Sequence, residues 1–378
     1  MLFLLFLFLS ACQNVPQSKS KKTALSSPLK NLDFSITLAF VGDVIIHERI
    51  RKREDKTNEG YESIWSGIQK YLETADLTYA NLEGPVAPEY GGVSGFPLFN
   101  FPEEIIPALK NSGFDVVSNA NNHALDRHAE GVRKTIANLK KYALGHTGTL
   151  SNAIAYDLDE ETWWYLTSIK SKFVAWLSCT EMTNGIHDRE NQVLYCFKDI
   201  EKVKELVKKL KLNKDIVAII LLPHWGEEEK FEIESYRRRW AHIMLNFGGT
   251  AVIGSHPHVP QKIEPYTTTD GRLTYIAYSL GNFISNQPWI PNKTSMLLYL
   301  KLKIIGDSAS AIIEDLKYVP LWMNRSIDKN GTSKFRLEAA FNLKKYPLEA
   351  VKIWSDQLPE EKRLNAPGDV DLFLEKQR

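Results

Sequence analysis

From residue 35 onward the chain alternates two kinds of apolar periodicity, and this alternation limits the folds open to it. Short apolar runs with strand character are followed by stretches whose apolar residues recur every three or four positions. Residues 216–222 are continuously apolar, as in a strand covered on both faces. Asp199 precedes a helix with Ile200, Val203, Leu206, Val207 and Leu210 on one face. Such a chain packs as an α/β layered domain, and ligands of such domains gather beyond the strand ends. Metal-ligand residue types close the apolar runs here. They fall in Val41-Gly42-Asp43, Ala80-Asn81-Leu82-Glu83, Ala120-Asn121-Asn122-His123, Leu222-Pro223-His224-Trp225-Gly226, Gly254-Ser255-His256-Pro257-His258 and Ser279-Leu280-Gly281-Asn282.

The same spacing rules predict strands over 35–41, 77–82, 114–117, 163–169, 173–179, 193–197, 251–254 and 273–278. A later strand pair is predicted over 295–305 and 311–319, around a Gly-Asp turn. Helices are predicted over 61–72, 102–109 with Pro102 in the first turn, 130–142, 199–210, 235–247 and 344–357. Residues 35–300 read as one domain and 301–378 as a C-terminal extension packed on it.

Residues 1–9 are almost entirely Leu and Phe. Spanning a membrane takes about 20 apolar residues, so this run reads as the apolar region of a secretory signal over 1–12. Leu9-Ser10-Ala11-Cys12 resembles a bacterial lipobox, which implies a lipidated Cys12 as the mature N-terminus. No Lys or Arg precedes the run. Residues 13–34, rich in Ser, Lys, Asn and Pro, read as a flexible tether. A bacterial cell-envelope protein, anchored to a membrane by lipid and facing away from the cytoplasm, is expected. Gln13 permits the outer membrane in a two-membrane cell.

The formal net charge is +1, which makes nucleic acid a poor partner and leaves any anionic substrate to local groups. Apart from Cys12 only Cys179 and Cys196 remain, either a pair in an oxidising compartment or two buried thiols. Their number argues against a cysteine-ligated zinc.

Carboxylate, amide oxygen and imidazole together suit Mn, Fe or Zn, in a site of one or two ions that activates water and clamps a phosphoryl-like oxygen. His256 and His258, two apart on a segment expected to be extended, point the same way. Asn282 is expected to lend its amide to the rim of the site, and His47 either reaches a metal or faces solvent. Trp225 reads as a packing residue, and Glu227, Glu228 and Glu229 as a solvated run.

The order Gly42-Asp43, Glu83, Asn122-His123, His224 and Gly254-Ser255-His256-Pro257-His258 resembles the calcineurin-like metallophosphoesterases. With Asn81-Leu82-Glu83-Gly84-Pro85, His224-Trp225-Gly226-Glu227 and Ser279-Leu280-Gly281-Asn282-Phe283, it more closely resembles the CapA family of poly-γ-glutamate capsule synthesis, over residues 36–286. The resemblance implies an αββα sandwich of two mixed β-sheets flanked by helices. It implies that Asp43 and His258 hold one metal, that Asn122, His224 and His256 hold the other, and that Glu83 bridges. His123 would protonate a leaving group and Asp126 would orient it. The sequence departs from the phosphoesterase pattern at Ile45, where that pattern has His, and at Glu83, where it usually has Asp. Two functions follow as expectations. One is a metal-dependent hydrolase or transferase acting on a phosphoryl or amide bond. The other is a non-catalytic, membrane-tethered subunit of a polyglutamate synthesis or export complex, partnered by poly-γ-glutamate and by membrane proteins of capsule synthesis. A surface metalloprotein that binds other proteins is a third reading, with no adhesive motif behind it.

Overall fold

The computed structural model describes residues 33–153, 161–306 and 310–375. The expected signal, Cys12 and nearly all of the tether lie outside them. Two sheets stack face to face. The first carries β1 (Phe34–Val44), β2 (Leu77–Leu82), β3 (Val116–Ser118) and β4 (Gly145–Thr147) in parallel. The second carries β5 (Trp164–Ile169), β6 (Lys172–Thr180), β7 (Ile216–His224), β8 (Ala251–Ile253), β9 (Ile263–Thr267) and β10 (Leu273–Ala277), in the order β5-β6-β7-β8-β10-β9. β11 (Asn282–Ile284) returns to the first sheet beside β1, and β12 (Thr294–Ile304), β13 (Ile312–Ile327) and β14 (Ser333–Ala339) extend it as an antiparallel ladder. Both sheets are mixed, and helices cover their outer faces.

Strand periodicity explains the layers. On β1 the side chains of Ile36, Leu38 and Phe40 enter the core between the sheets, while Ala39 and Val41 face the outer core of the first sheet. On β7 Ala218, Ile220 and Leu222 face inward, while Ile219 and Leu221 face outward, so 216–222 is apolar throughout. Trp176 of β6 fills the centre, stacked on Tyr79 at 6.1 Å and tilted against Phe40 at 5.9 Å. The first sheet is covered by α1 (Glu48–Thr57), α2 (Gln69–Glu73), α3 (Ile105–Asn111) and α4 (His128–Lys141). The second is covered by α5 (Ile200–Leu212) and α6 (Ser235–Phe247), whose Val203, Leu206, Trp240 and Met244 pack on it. After the short α7 (Ile290–Lys293) and the last strands come α8 (Leu348–Gln357), which seats Trp354 in the inter-sheet core, and α9 (Pro367–Glu375). No helix among the described residues is long and apolar enough to cross a membrane.

Some expected elements take other forms. The helix predicted over 61–72 is a 3-10 turn at Tyr61–Ile64 followed by α2. The carbonyl of Leu337 lies 3.2 Å from where a Cβ of Gly67 would stand, so β14 packs against the break. Residues 193–197 form only isolated bridges. Side chains occupy their backbone there: the Asp188 carboxylate accepts the N–H of Gln192 and Val193, and Asp199 accepts that of Tyr195. Asp199 therefore stands at the start of α5 without capping it through its side chain. The helix expected at 102–109 begins at Ile105, after a turn in which Ile105 N–H reaches Pro102 O. Cys179 and Cys196 form a disulfide.

Candidate metal centre

Strands β1, β2, β3, β7 and β8 run parallel to one another within each sheet, so their carboxyl ends lie together. The ligand-type residues sit at or just beyond those ends. Gly42 lets β11 approach there: a Cβ at Gly42 would stand 1.7 Å from Gly281 O. That approach gives Asp43 N–H a bond to Gly281 O at 3.0 Å and places Asn282 opposite Asp43.

Asp43, Glu83, Asn122, His224, His256 and His258 are all buried and converge. Asp43 Oδ2 lies 3.0 Å from His258 Nδ1, and Asn122 Oδ1 lies 2.9 Å from His224 Nε2. Between these pairs Glu83 Oε1 stands 3.7 Å from His224 Nε2 and 3.6 Å from His258 Nε2. Those spacings are too long for hydrogen bonds. Ligand-atom sets from Glu83, His256 and His258, and from Asp43, Glu83 and His224, each fall within 4.8 Å of one another. His256 lies against His224, with ring centroids 4.7 Å apart.

The unpaired atoms fit a cation. Glu83 Oε1 and His256 Nδ1 are buried without hydrogen-bond partners, although buried polar atoms are nearly always bonded. His224 Nδ1 lies 3.0 Å from Ser255 Oγ. With its proton given to that hydroxyl, Nε2 keeps a lone pair, and so does Asn122 Oδ1 beside it. Two acceptors then converge on one point, which a metal ion satisfies.

Electrostatics agree. Burial, and then the neighbouring Asp43 carboxylate, push the Glu83 carboxyl well above its usual range. Burial, and then the adjacent imidazoles, hold His224 and His256 well below the usual histidine range, leaving them neutral as ligands must be. Burial also works against charge on His258, but its bond to Asp43 prevails and raises it.

The histidine pair converges by a different route from the one expected. His256 has φ 101° and His258 φ 58°, so the segment is a tight loop in the left-handed region and not extended chain. Such geometry costs about 1–3 kcal/mol per residue and tends to mark functional loops. Asn282 is buried beside the site, on a strand that pairs with β1, and its Nδ2 lies 3.4 Å from the carbonyl of His258. Its Nδ2 donates to Gln287 Oε1 at 2.8 Å and Asn292 O at 3.0 Å. Trp225 is buried with its Nε1–H on Tyr278 O, and residues 227–229 are exposed.

His123 Nδ1 lies 2.7 Å from Asp126 Oδ2, which also accepts the Phe99 N–H at 2.6 Å. The Phe99 ring packs edge-on to His123, centroids 4.6 Å apart, and 5.6 Å from the ring of His47. Ile45 is 2% exposed and packs in the outer core of the first sheet, with its N–H on Ile284 O.

The sequence reading missed Asn81 and Phe99. Asn81 Nδ2 donates to Asp43 Oδ1 at 2.8 Å and Glu83 Oε2 at 3.3 Å. The signal was present, since Asn81 is two residues before Glu83 and shares its face of the chain. Nothing in the sequence marks Phe99. Glu181 was missed too: it pairs with Arg237 of α6 at 2.9 Å and accepts the Gly226 N–H, bracing the loop after His224.

Comparison with known proteins identifies the family. The chain is 28% identical to the capsule biosynthesis protein CapA of Bacillus anthracis over 323 residues, 83% of this chain and 74% of that one. It is also 28% identical to the PGA biosynthesis protein CapA of Bacillus subtilis (strain 168), over 72% of this chain and 70% of that one. Among solved structures, the Haemophilus influenzae NAD nucleotidase aligns with 92% of this chain and 60% of its own, at 11% identity and a TM-score of 0.49, too distant a likeness to carry function. Residues 37–287, two-thirds of the chain, match the profile of bacterial capsule synthesis proteins termed PGA_cap, and the chain belongs to that family.

Proposed function

We propose that this protein is a metal-dependent hydrolase acting on a phosphoryl or amide bond during the synthesis or export of a poly-γ-glutamate capsule. The observation that carries the reading is Glu83 Oε1, buried, unpaired and flanked at 3.6–3.7 Å by two imidazole nitrogens. Asp43 and His258 would hold one ion, Asn122, His224 and His256 the other, with Glu83 shared. A divalent ion there, Mn, Fe or Zn, supplies Lewis acidity and acidifies water. His123, oriented by Asp126 through Nδ1, carries a proton on Nε2 for the leaving group. Asn81 holds the Asp43 carboxylate in place.

The reading extends to location. Lipidation at Cys12 would anchor the domain to a membrane through residues 13–34, beside membrane proteins of capsule synthesis. The Cys179–Cys196 disulfide supports an oxidising, extracytoplasmic setting. Incorporation of labelled palmitate that is lost in Cys12→Ala tests the anchor.

Elemental analysis of purified protein, with Asp43→Ala and His256→Ala alongside, tests the site. Both variants should lose metal, and His123→Ala should keep metal while losing turnover on phosphoesters or γ-glutamyl peptides. Stoichiometric metal without turnover on either substrate class, with capsule production intact in His123→Ala, would sink the hydrolase.

A second reading rests on Ile45. A buried aliphatic stands where the phosphoesterase pattern has a ligand, so the first ion has one fewer partner. A non-catalytic subunit of a polyglutamate complex would tolerate that loss. Restoration of polymer release by a protein lacking both Asp43 and His256 would favour it.

A further inference from the structure

His47 stands four residues after Asp43, at the start of α1, and its side chain makes no capping bond. Its Nδ1 faces the backbone N–H of Asn286 at 3.2 Å. An amide N–H only donates, so Nδ1 accepts. In neutral imidazole the proton then lies on Nε2. That assignment bars Nε2 from ligating a metal, since a ligating nitrogen needs its lone pair and the other nitrogen normally donates. The contact with Asn286 therefore works against His47 as a replacement for the ligand missing at Ile45.

Among the described residues Nε2 of His47 has no hydrogen-bond partner, and it is not enclosed. The same holds for Nε2 of His123. The two rings pack against one aromatic ring, Phe99, with centroids 5.6 and 4.6 Å from it. His258 and His123 are also the electrostatic neighbours of His47. The ring thus stands beside the ligand cluster. Burial, and then the neighbouring His258, lower His47 to about 4 against the carbonyl of Ile45, which raises it, so it is neutral at pH 7.

From this geometry we infer that His47 is an oxyanion-binding residue, whose Nε2–H donates to a phosphoryl or carboxylate oxygen of a ligand seated on the metal cluster. The inference deepens the site proposed above and rests on that site holding metal. It assigns His47 to ligand recognition and not to metal binding.

The test uses the Mn-reconstituted protein with wild type, His47→Leu and His47→Gln, the last restoring an N–H donor. Metal content is measured by elemental analysis, folding by thermal melting, and binding of inorganic phosphate and of glutarate by calorimetry. Equal metal content is expected in all three proteins. Affinity for at least one anion should fall about ten- to a hundredfold in His47→Leu and stay within about threefold in His47→Gln. The anion that responds tells a phosphoryl ligand from a carboxylate one. Loss of metal from a folded His47→Leu, anion affinities unchanged by it, or metal-loaded wild type that binds neither anion would each overturn the inference. Absence of turnover alongside a lost anion site in His47→Leu would instead sink the hydrolase and leave His47 where it is placed here.

Discussion

Exchanging Glu83 for Gln should change the sign of its effect on stability when metal is added. The side chain is 0% exposed, Oε1 has no donor, and Oε2 has only Asn81 Nδ2 at 3.3 Å. A buried polar atom left unpaired costs about 1–3 kcal/mol, and more if charged. Glu83→Gln, at nearly equal volume, removes the cost of burying that charge or of holding a proton on it, so without metal the variant should be the more stable by about 1–3 kcal/mol at pH 7.5. At roughly 2 °C per kcal/mol for a large domain, its Tm rises by about 2–6 °C. Metal at about a thousand times its Kd adds about 4 kcal/mol to the wild type. The amide lacks the charge that secures the ion, so the variant gains much less and the order reverses.

The pH dependence follows from the raised Glu83 carboxyl. A carboxyl raised in the fold keeps a proton that the unfolded chain has released, so stability falls as pH rises. The penalty is absent below the unfolded value of about 4.3 and grows as pH climbs toward the folded value. The metal-free advantage of Glu83→Gln should therefore vanish near pH 4.3 and widen upward. His224 and His256, depressed in the fold, destabilise both proteins as pH falls below about 6.5, and this largely cancels in the difference. Melting in EDTA and in excess Mn across this range is the assay. The same melting order with and without metal, or an advantage that persists at pH 4.3, would refute the reasoning.

Three further outcomes follow from the packing. Replacing Cys179 and Cys196 by Ser opens a loop of sequence separation 17, and chemical denaturation should show a loss of about 3 kcal/mol. Gly42→Ala forces a Cβ onto Gly281 O, so it should cost at least the 1–3 kcal/mol typical of overpacking (about that range) and lower metal content, because the displaced strand carries Asp43. Arg237→Ala leaves the Glu181 carboxylate with only Tyr236 Oη and Gly226 N–H, and urea melts should show a loss of about 3 kcal/mol.

What the sequence made legible is what chemistry writes locally. Residues 216–222 read as a covered strand because each residue is apolar for its own layer, and Asp43, Glu83, His224 and His258 read as candidate ligands only through their joint occurrence in order along the chain. The helix over 61–72 and the strand over 193–197 failed for a common reason. In each, something distant in sequence occupies the backbone or its space: the Leu337 carbonyl by Gly67, and the Asp188 and Asp199 carboxylates by 192–195. His47 belongs to that second class. Its residue type allows ligand, acid or donor equally, and only the amide N–H of Asn286, 239 residues away, chooses among them by claiming Nδ1. Counting ligands along the chain makes Ile45 a gap that a nearby histidine should fill. The hydrogen bond works against that option, so on the proposed reading the first ion would have Asp43, His258 and the shared Glu83 as its protein ligands. A three-ligand site with open positions is the arrangement expected where a metal must also hold a substrate or water. On that ground the missing histidine favours weak, substrate-dependent occupancy of the first ion over its outright loss, and metal titrations with and without phosphate would separate the two.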